Sequence, residues 1–161
     1  MLVFHGQDLT IEQNKDFARR FGPLVPYPFV KGLDDHPEVF EIRKEPDEEK
    51  NFGGAWHTDM SFEERPPVGT MLYARETPSR GGDTLLANLY RAYETLSDPM
   101  KRVVDGLTGV YSGDLKGRRG GRKALMDTTR FQTANVERAG EMEAEHPLVR
   151  THPETGRKAL Y

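Results

Sequence analysis

Apolar residues recur at helical spacing in three parts of the chain. The first part begins after Thr10, which forms a capping-box pattern with Gln13, and it ends at Gly22, a residue typical of helix ends. Two further helices are predicted to begin near Leu89 and after Ser97, because apolar residues there follow one face of a helix. A fourth, looser helix is predicted over residues 124–140.

Short apolar runs bounded by glycine, proline and polar turn residues predict strands between these helices. The predicted strands, or parts of strands, cover residues 2–4, 39–42, 55–59, 70–74, 83–86, 108–111, 146–150 and 158–161. Strands with helices inserted between them predict a mainly β fold, such as a decorated β-sandwich. The length of 161 residues predicts one domain over 1–161.

Composition and charge exclude several classes of function. The net charge of −3 gives no overall attraction to nucleic acid or to anionic membranes. The sequence has no cysteine, which excludes disulfides and cysteine-ligated zinc or iron–sulfur sites. No apolar run approaches the roughly 18 residues that a membrane span needs, and the first residues are too polar for a signal peptide. A cytoplasmic protein without membrane contact is therefore expected.

The tripeptide His57-Thr58-Asp59 is the strongest candidate for chemistry. On a strand, residues two apart point to the same face, so the imidazole and the carboxylate can converge. Together with a second histidine, this pair forms the facial triad of non-haem Fe(II) oxygenases. A histidine and an aspartate at this spacing are more often a surface hydrogen bond, so the tripeptide alone is a weak signal. A zinc hydrolase would need at least three protein ligands.

Several ordered blocks around this tripeptide strengthen the signal. They are residues 51–62, the pair Pro66-Pro67, residues 80–84 and residues 146–156. In order and spacing they resemble the taurine dioxygenase (TauD/TfdA) family of Fe(II)/2-oxoglutarate-dependent dioxygenases, over nearly the whole chain. The resemblance implies a double-stranded β-helix, or jelly roll, that is incomplete at its C-terminus. It also implies that Fe(II), 2-oxoglutarate and O₂ together hydroxylate a small organic substrate while 2-oxoglutarate becomes succinate.

The resemblance assigns roles to particular residues. His57 and Asp59 match the first two iron ligands and are the expected catalytic centre. Thr84 matches a threonine whose hydroxyl binds a 2-oxoglutarate carboxylate, although by itself it is typical of a strand edge beside a Gly-Gly turn. The second histidine ligand and the arginine that pairs with 2-oxoglutarate are expected beyond Tyr161. The 161-residue chain alone is therefore expected to be inactive and marginally stable.

The expected substrate is a small organic acid other than taurine. Taurine-selective members carry a His and a Tyr after the first helix and an Asn just before the His-x-Asp tripeptide. Tyr27, Val30 and Gly53 occupy those positions here, which makes them the candidate substrate residues. Whether the protein forms a homo-oligomer is left open by the sequence.

Two other interpretations remain open. The first is a non-catalytic, truncated paralogue that acts as a binding or scaffold protein. The second is nucleic-acid binding through Arg118, Arg119, Arg122 and Lys123, which is disfavoured because the patch is short and lacks interleaved aromatic residues. This glycine-rich segment from Lys116 to Lys123 is expected either to be disordered or to attract an anionic substrate.

Overall fold

The secondary structure consists of short helices and strands joined by long irregular segments. The computed structural model describes residues 1–48, 51–114, 121–127 and 129–161. In chain order these residues form α1 (Ile11–Arg19), α2 (Leu89–Glu94), α3 (Asp98–Val104), β1 (Thr108–Ser112), α4 (Gly121–Met126), a 3₁₀ helix (Val136–Glu141), β2 (Glu143–Pro147), β3 (Val149–Thr151) and β4 (Lys158–Leu160). No described helix is long and apolar enough to cross a membrane.

Two helices begin at the capping side chains that the sequence predicts, Thr10 for α1 and Ser97 for α3. Thr10 Oγ1 accepts a hydrogen bond from the Gln13 backbone N–H at 3.2 Å, and Gln13 Oε1 accepts one from the Thr10 N–H at 2.9 Å. This confirms the capping box of α1. Ser97 caps α3 as expected, since its Oγ accepts from the Met100 N–H. Asn88 caps α2 in the same way.

The long helix predicted over residues 124–140 is wrong. The structure has two separate pieces there, α4 and the 3₁₀ helix. Asn135 precedes the 3₁₀ helix with a left-handed φ of 48°, a conformation that cannot continue a right-handed helix. Its side-chain amide donates to the Pro28 carbonyl at 3.2 Å, so a tertiary contact stabilises the break.

The strands form two small antiparallel sheets. β1 pairs with β2, with Thr108 opposite Pro147 and Ser112 opposite Glu143. β3 pairs with β4 in a hairpin, which confirms the predicted returning strand at the end of the chain. Leu148 joins the two sheets, because its N–H donates to the Leu107 carbonyl and its carbonyl accepts from the Tyr161 N–H, both at 2.9 Å. The single strand predicted over 146–150 is thus divided where it changes partner.

Five predicted strands are absent from the part of the chain that the structure describes. They are residues 2–4, 39–42, 55–59, 70–74 and 83–86. An apolar run favours an extended backbone, but a strand also needs a neighbouring backbone to pair with. None of these segments has such a ladder within the described residues. Helices therefore occupy more of the described chain than strands, and the mainly β jelly roll is still a prediction.

A small aromatic core lies directly beneath the His57-x-Asp59 segment. Phe29, Met60, Phe62 and Ala139 are its buried members, and the Phe29 and Phe62 rings lie 5.3 Å apart. Two of these residues, Met60 and Phe62, follow Asp59 within three positions. The side chains that fill the core therefore also fix the course of the backbone next to the candidate metal ligands.

Candidate metal site

His57 and Asp59 converge although their segment is not a strand. His57 Nε2 lies 3.1 Å from Asp59 Oδ1, and both side chains are about half exposed. His57 Nδ1 lies 2.7 Å from the Ala55 carbonyl, which can only accept, so Nδ1 carries a proton. In the neutral imidazole, Nε2 then presents a lone pair toward a carboxylate oxygen. A proton or a cation must lie between these two atoms to make the short distance favourable.

The separation of the two atoms fits a shared metal ion. Ligand atoms at about 2.1 Å from a cation and at right angles to each other lie about 3.0 Å apart. The observed 3.1 Å between His57 Nε2 and Asp59 Oδ1 matches that edge of an octahedron. Within the described residues, no group of three or more histidine, aspartate or glutamate side chains could hold a metal. Among the described residues, His57 and Asp59 are therefore a pair of candidate ligands without a third side chain of these types beside them.

Thr70 orients the Asp59 carboxylate. Its hydroxyl donates to Asp59 Oδ2 at 2.6 Å, which leaves Oδ1 directed at His57. Hydrogen bonds to the second oxygen of a ligating carboxylate commonly fix its orientation. The sequence analysis missed this residue, because 70–74 was predicted as a strand and nothing in the sequence places Thr70 opposite Asp59.

Two backbone positions with positive φ shape the segment around the ligands. Gly53 has a φ of 72°, a conformation that favours glycine, and a Cβ there would lie in van der Waals contact with His57 Cε1 at 3.4 Å. Met60 has a φ of 49°, which is unusual for a residue with a side chain, and its side chain is buried in the core. Packing of the buried Met60 side chain thus holds the turn after Asp59 in a backbone conformation that a residue with a side chain disfavours.

Tyr27 lies in an aromatic cluster that extends toward the site. Its ring stacks on Phe40 at 5.4 Å and meets Phe52, next to Gly53, edge-on at 6.3 Å. Burial raises the pKa of Tyr27, the Asp59 carboxylate raises it further, and the Arg122 guanidinium acts in the opposite direction. Tyr27 is therefore a neutral phenol at physiological pH and can donate a hydrogen bond.

Neither Val30 nor Thr84 makes a hydrogen bond to His57 or Asp59 among the described residues. Val30 is 5% exposed, forms a bridge with Thr133 and lines a separate groove of about 350 Å³. Thr84 is exposed, and its hydroxyl makes no hydrogen bond to another described residue. The Gly-Gly turn before it is present, since Gly81 and Gly82 have φ values of 77° and 75°.

A second groove, of about 360 Å³, opens beside Asp59. Two proline residues and two arginine residues contribute to its walls. It is lined by Thr58, Asp59, Glu64, Arg65, Pro66, Pro67, Arg150 and Tyr161. Asp59 thus borders open space, from which further ligands could approach a metal.

The predicted basic patch is not a continuous cationic surface in the described residues. Arg118 and Arg119 lie outside those residues. Lys123 pairs with Asp127 at 2.7 Å. The Arg122 guanidinium points inward, stacks 4.4 Å above the Phe29 ring and donates to the Tyr27 hydroxyl at 3.1 Å. Arg122 is therefore engaged with aromatic side chains and places a cation beside Tyr27.

Comparison with known proteins shows the family to which the chain belongs. The family model for taurine catabolism dioxygenases, the TauD, TfdA family, matches residues 1–161. The chain belongs to this family, which confirms the resemblance seen in the sequence. The alpha-ketoglutarate-dependent sulfate ester dioxygenase of Pseudomonas putida is 30% identical, over 99% of this chain and 52% of its own length. The alkylsulfatase of Acinetobacter baylyi is 33% identical, over 99% of this chain and 50% of its own length.

A solved structure is also similar to this chain. The crystal structure of a taurine dioxygenase from Burkholderia xenovorans superposes with a TM-score of 0.59 and 34% identity, over 97% of this chain and 46% of that protein. The chain spans about half the length of the curated relatives that it matches.

Proposed function

We propose that this chain carries two of the iron ligands of an Fe(II)- and 2-oxoglutarate-dependent dioxygenase. The observation that carries this proposal is the 3.1 Å approach of His57 Nε2 to Asp59 Oδ1, with both atoms able to bind one cation. Membership of the family supports the choice of iron, because an imidazole and a carboxylate are two parts of the facial triad that binds it.

The two ligands have distinct supports. His57 would bind through Nε2, because the Ala55 carbonyl holds the proton on Nδ1. Asp59 would bind through Oδ1, because Thr70 donates to Oδ2. When bound, the iron would supply a redox-active centre at which 2-oxoglutarate and O₂ react. The chain's own contribution is to hold both donor atoms on one side of the ion and to leave the other side open.

Thr84 is the proposed contact for a carboxylate of 2-oxoglutarate. A hydroxyl on an exposed segment, with no hydrogen bond to another described residue, has its donor available for a ligand. Binding would require the segment after the Gly81-Gly82 turn to approach the iron, and the glycines permit such a change of backbone direction.

The proposed substrate is a small organic anion other than taurine. Two relatives are named for sulfate esters or alkyl sulfates, which are anionic. Arg122 offers a cation, and Tyr27 offers a neutral donor 3.1 Å from it. Gly53 leaves space beside the imidazole. Tyr27 and Gly53 therefore remain the candidate substrate residues, whereas Val30 contributes to a different groove.

A non-catalytic role is the alternative function. It is favoured by the finding that the described residues supply fewer than three ligands. Many large apolar side chains of the described residues are also exposed, including Leu72 and Leu85 at 69% and 71%. The 161-residue chain by itself is accordingly proposed to be inactive and marginally stable.

An anaerobic titration with Fe(II) and 2-oxoglutarate tests the proposal. The visible metal-to-ligand charge-transfer band reports 2-oxoglutarate bound to iron, and isothermal titration reports Fe(II) alone. Fe(II) should bind the wild-type chain weakly, and His57→Ala and Asp59→Ala should each abolish that binding. His5→Ala, at an exposed histidine away from the site, is the matched control and should change nothing. Equal binding by wild type and both site variants would refute the proposed ligands, and succinate formation by the chain would refute its inactivity.

A further inference from the structure

His146 is a buried histidine that contacts the backbone beside the metal ligands. It lies in β2, far from the site in sequence, and only 4% of its surface is exposed. Its Nε2 lies 2.9 Å from the Ser61 carbonyl oxygen and 3.0 Å from the Glu63 carbonyl oxygen. Carbonyl oxygens only accept hydrogen bonds, so Nε2 carries the proton and donates to both. His146 is therefore unsuited to bind a metal through this atom in the conformation observed.

Both carbonyls belong to the turn that follows Asp59. Met60, between Asp59 and Ser61, has a left-handed φ of 49° that its side chain disfavours. The Glu63 N–H donates to the Met60 carbonyl at 3.0 Å and closes the turn. The His146 Nε2–H donates to the carbonyls of both Ser61 and Glu63 and therefore opposes a change of Met60 to an ordinary negative φ. Such a change would displace the neighbouring Asp59.

The His146 imidazole is held in place by two aromatic rings and by the pairing of β2 with β1. The Tyr161 ring lies 4.8 Å and the Tyr111 ring 5.6 Å from it, centroid to centroid. Gly109 is its partner across the β1–β2 ladder, and a Cβ there would lie 2.9 Å from the Tyr111 ring. The missing side chain at Gly109 thus gives the Tyr111 ring room to pack beside His146. The position of the His146 Nε2–H donor is therefore set by packing around β1 and β2, and not by the turn that accepts its hydrogen bonds.

We propose that His146 is a positioning residue for the metal site. Its Nε2–H holds the Ser61 and Glu63 carbonyls and so sets the position of Asp59 relative to His57. The part of this proposal that concerns metal affinity rests on the proposed function, whereas the part that concerns the turn does not.

The first test measures the turn in metal-free protein. Amide hydrogen exchange is recorded for residues 58–63 and for α1 in wild type and in His146→Leu, which removes the donor but keeps an apolar side chain. Within 58–63 the reporter is the Glu63 N–H, which donates to the Met60 carbonyl, and its exchange should rise about fivefold or more relative to α1, the factor expected for one lost hydrogen bond. His146→Gln, which can still donate, should restore part of the protection. Unchanged relative exchange in His146→Leu would overturn the proposal.

The second test measures Co²⁺ affinity with the same variants and a matched control. Ala144→Gly also changes a buried residue of β2, but Ala144 makes no side-chain hydrogen bond to the turn. His146→Leu should weaken Co²⁺ binding about tenfold, as loss of a residue that supports a ligand commonly does. His146→Gln should recover part of it, and Ala144→Gly should stay within about twofold. An equal loss in Ala144→Gly would show a general effect of stability and overturn the positioning role.

The two tests separate this inference from the proposed function. If wild type binds no Co²⁺ but exchange at 58–63 depends on His146, the metal site fails while the control of the turn stands. If wild type binds Co²⁺ and neither exchange nor affinity depends on His146, the metal site stands and the positioning role fails.

Discussion

Two segments carry the residues assigned to iron and to 2-oxoglutarate, and they differ in how the rest of the chain holds them. The turn after Asp59 is fixed by buried Met60 and Phe62 and by the hydrogen bonds of His146. The segment that carries Thr84 is exposed along its length, with Leu85 71% exposed. A metal binds more tightly when its ligands are already held in place, and a contact to a bound co-substrate can form afterwards. The comparison suggests that the chain preorganises the first and leaves the second to ligand binding.

The largest expected effect comes from removing the core beneath the metal ligands. Phe62→Ala should lower the free energy of unfolding by about 3 kcal/mol, because a buried aromatic ring would leave a cavity. Phe4→Ala is the matched control, since Phe4 is 61% exposed and should lose less than about 1 kcal/mol. Urea denaturation followed by Trp56 fluorescence measures both. Equal losses in the two variants would show that the turn is not anchored as described.

Thr70 and Thr84 give the sharpest contrast between the two segments. Thr70→Val removes the hydroxyl that donates to Asp59 Oδ2, so Co²⁺ affinity should fall about tenfold. Thr84→Val should leave Co²⁺ affinity unchanged and weaken only 2-oxoglutarate binding to the metal-loaded protein. Calorimetric titration with each ligand distinguishes these effects. A loss of metal affinity in Thr84→Val would contradict the division of roles.

Tyr27 should make stability fall at alkaline pH. Its folded-state pKa is raised above the ordinary value of 10.0, chiefly by burial, so the folded protein holds the phenolic proton more tightly than the unfolded chain does. This contribution to stability is complete below pH 10 and is lost as the pH rises through the folded-state pKa. Tyr27→Phe keeps the ring and should reduce the alkaline loss.

The alkaline experiment must compare wild type with Tyr27→Phe, because burial also raises the pKa of Tyr111, which is present in both proteins. Denaturation curves of wild type and Tyr27→Phe at pH 8 and above pH 10 provide it. A difference in stability between the two proteins that does not change over this range would contradict the assignment to Tyr27.

The smallest expected effect lies on the exposed segment. Leu85→Ser should change the free energy of unfolding by less than about 0.5 kcal/mol, because the side chain is already 71% exposed. Thermal denaturation of the chain measures this. A large loss would mean that Leu85 packs against something in solution, and the contrast between the two segments would then be wrong.

Local signals in the sequence were sufficient for the first three helices, but not for the region 124–140, where one predicted helix is two separate pieces. The capping box at Thr10 and the cap at Ser97 involve neighbours within three residues, and both are present. His57 and Asp59 do converge, but not through the strand geometry that was expected, because the predicted strand is absent. Five predicted strands failed because pairing depends on a distant backbone that an apolar run does not specify.

The residues that hold the Asp59 segment in place could not be predicted either, because they are distant from it in sequence. Thr70 and His146 reach the segment of Asp59 across 11 and more than 80 residues of sequence. Neither carries a local motif for that contact. His146 belongs to a block that matched the family, but the match did not show that its Nε2 donates to the turn carbonyls.

The most direct test of the shared metal site is NMR of the chain titrated with Mn²⁺, which broadens signals within a short distance of the ion. Broadening should centre on the His57 ring and Asp59 and reach Gly53 and Thr70, and it should disappear in His57→Ala. Broadening that centres on other acidic residues, or that persists unchanged in His57→Ala, would contradict the assignment of His57 and Asp59 as ligands of one ion.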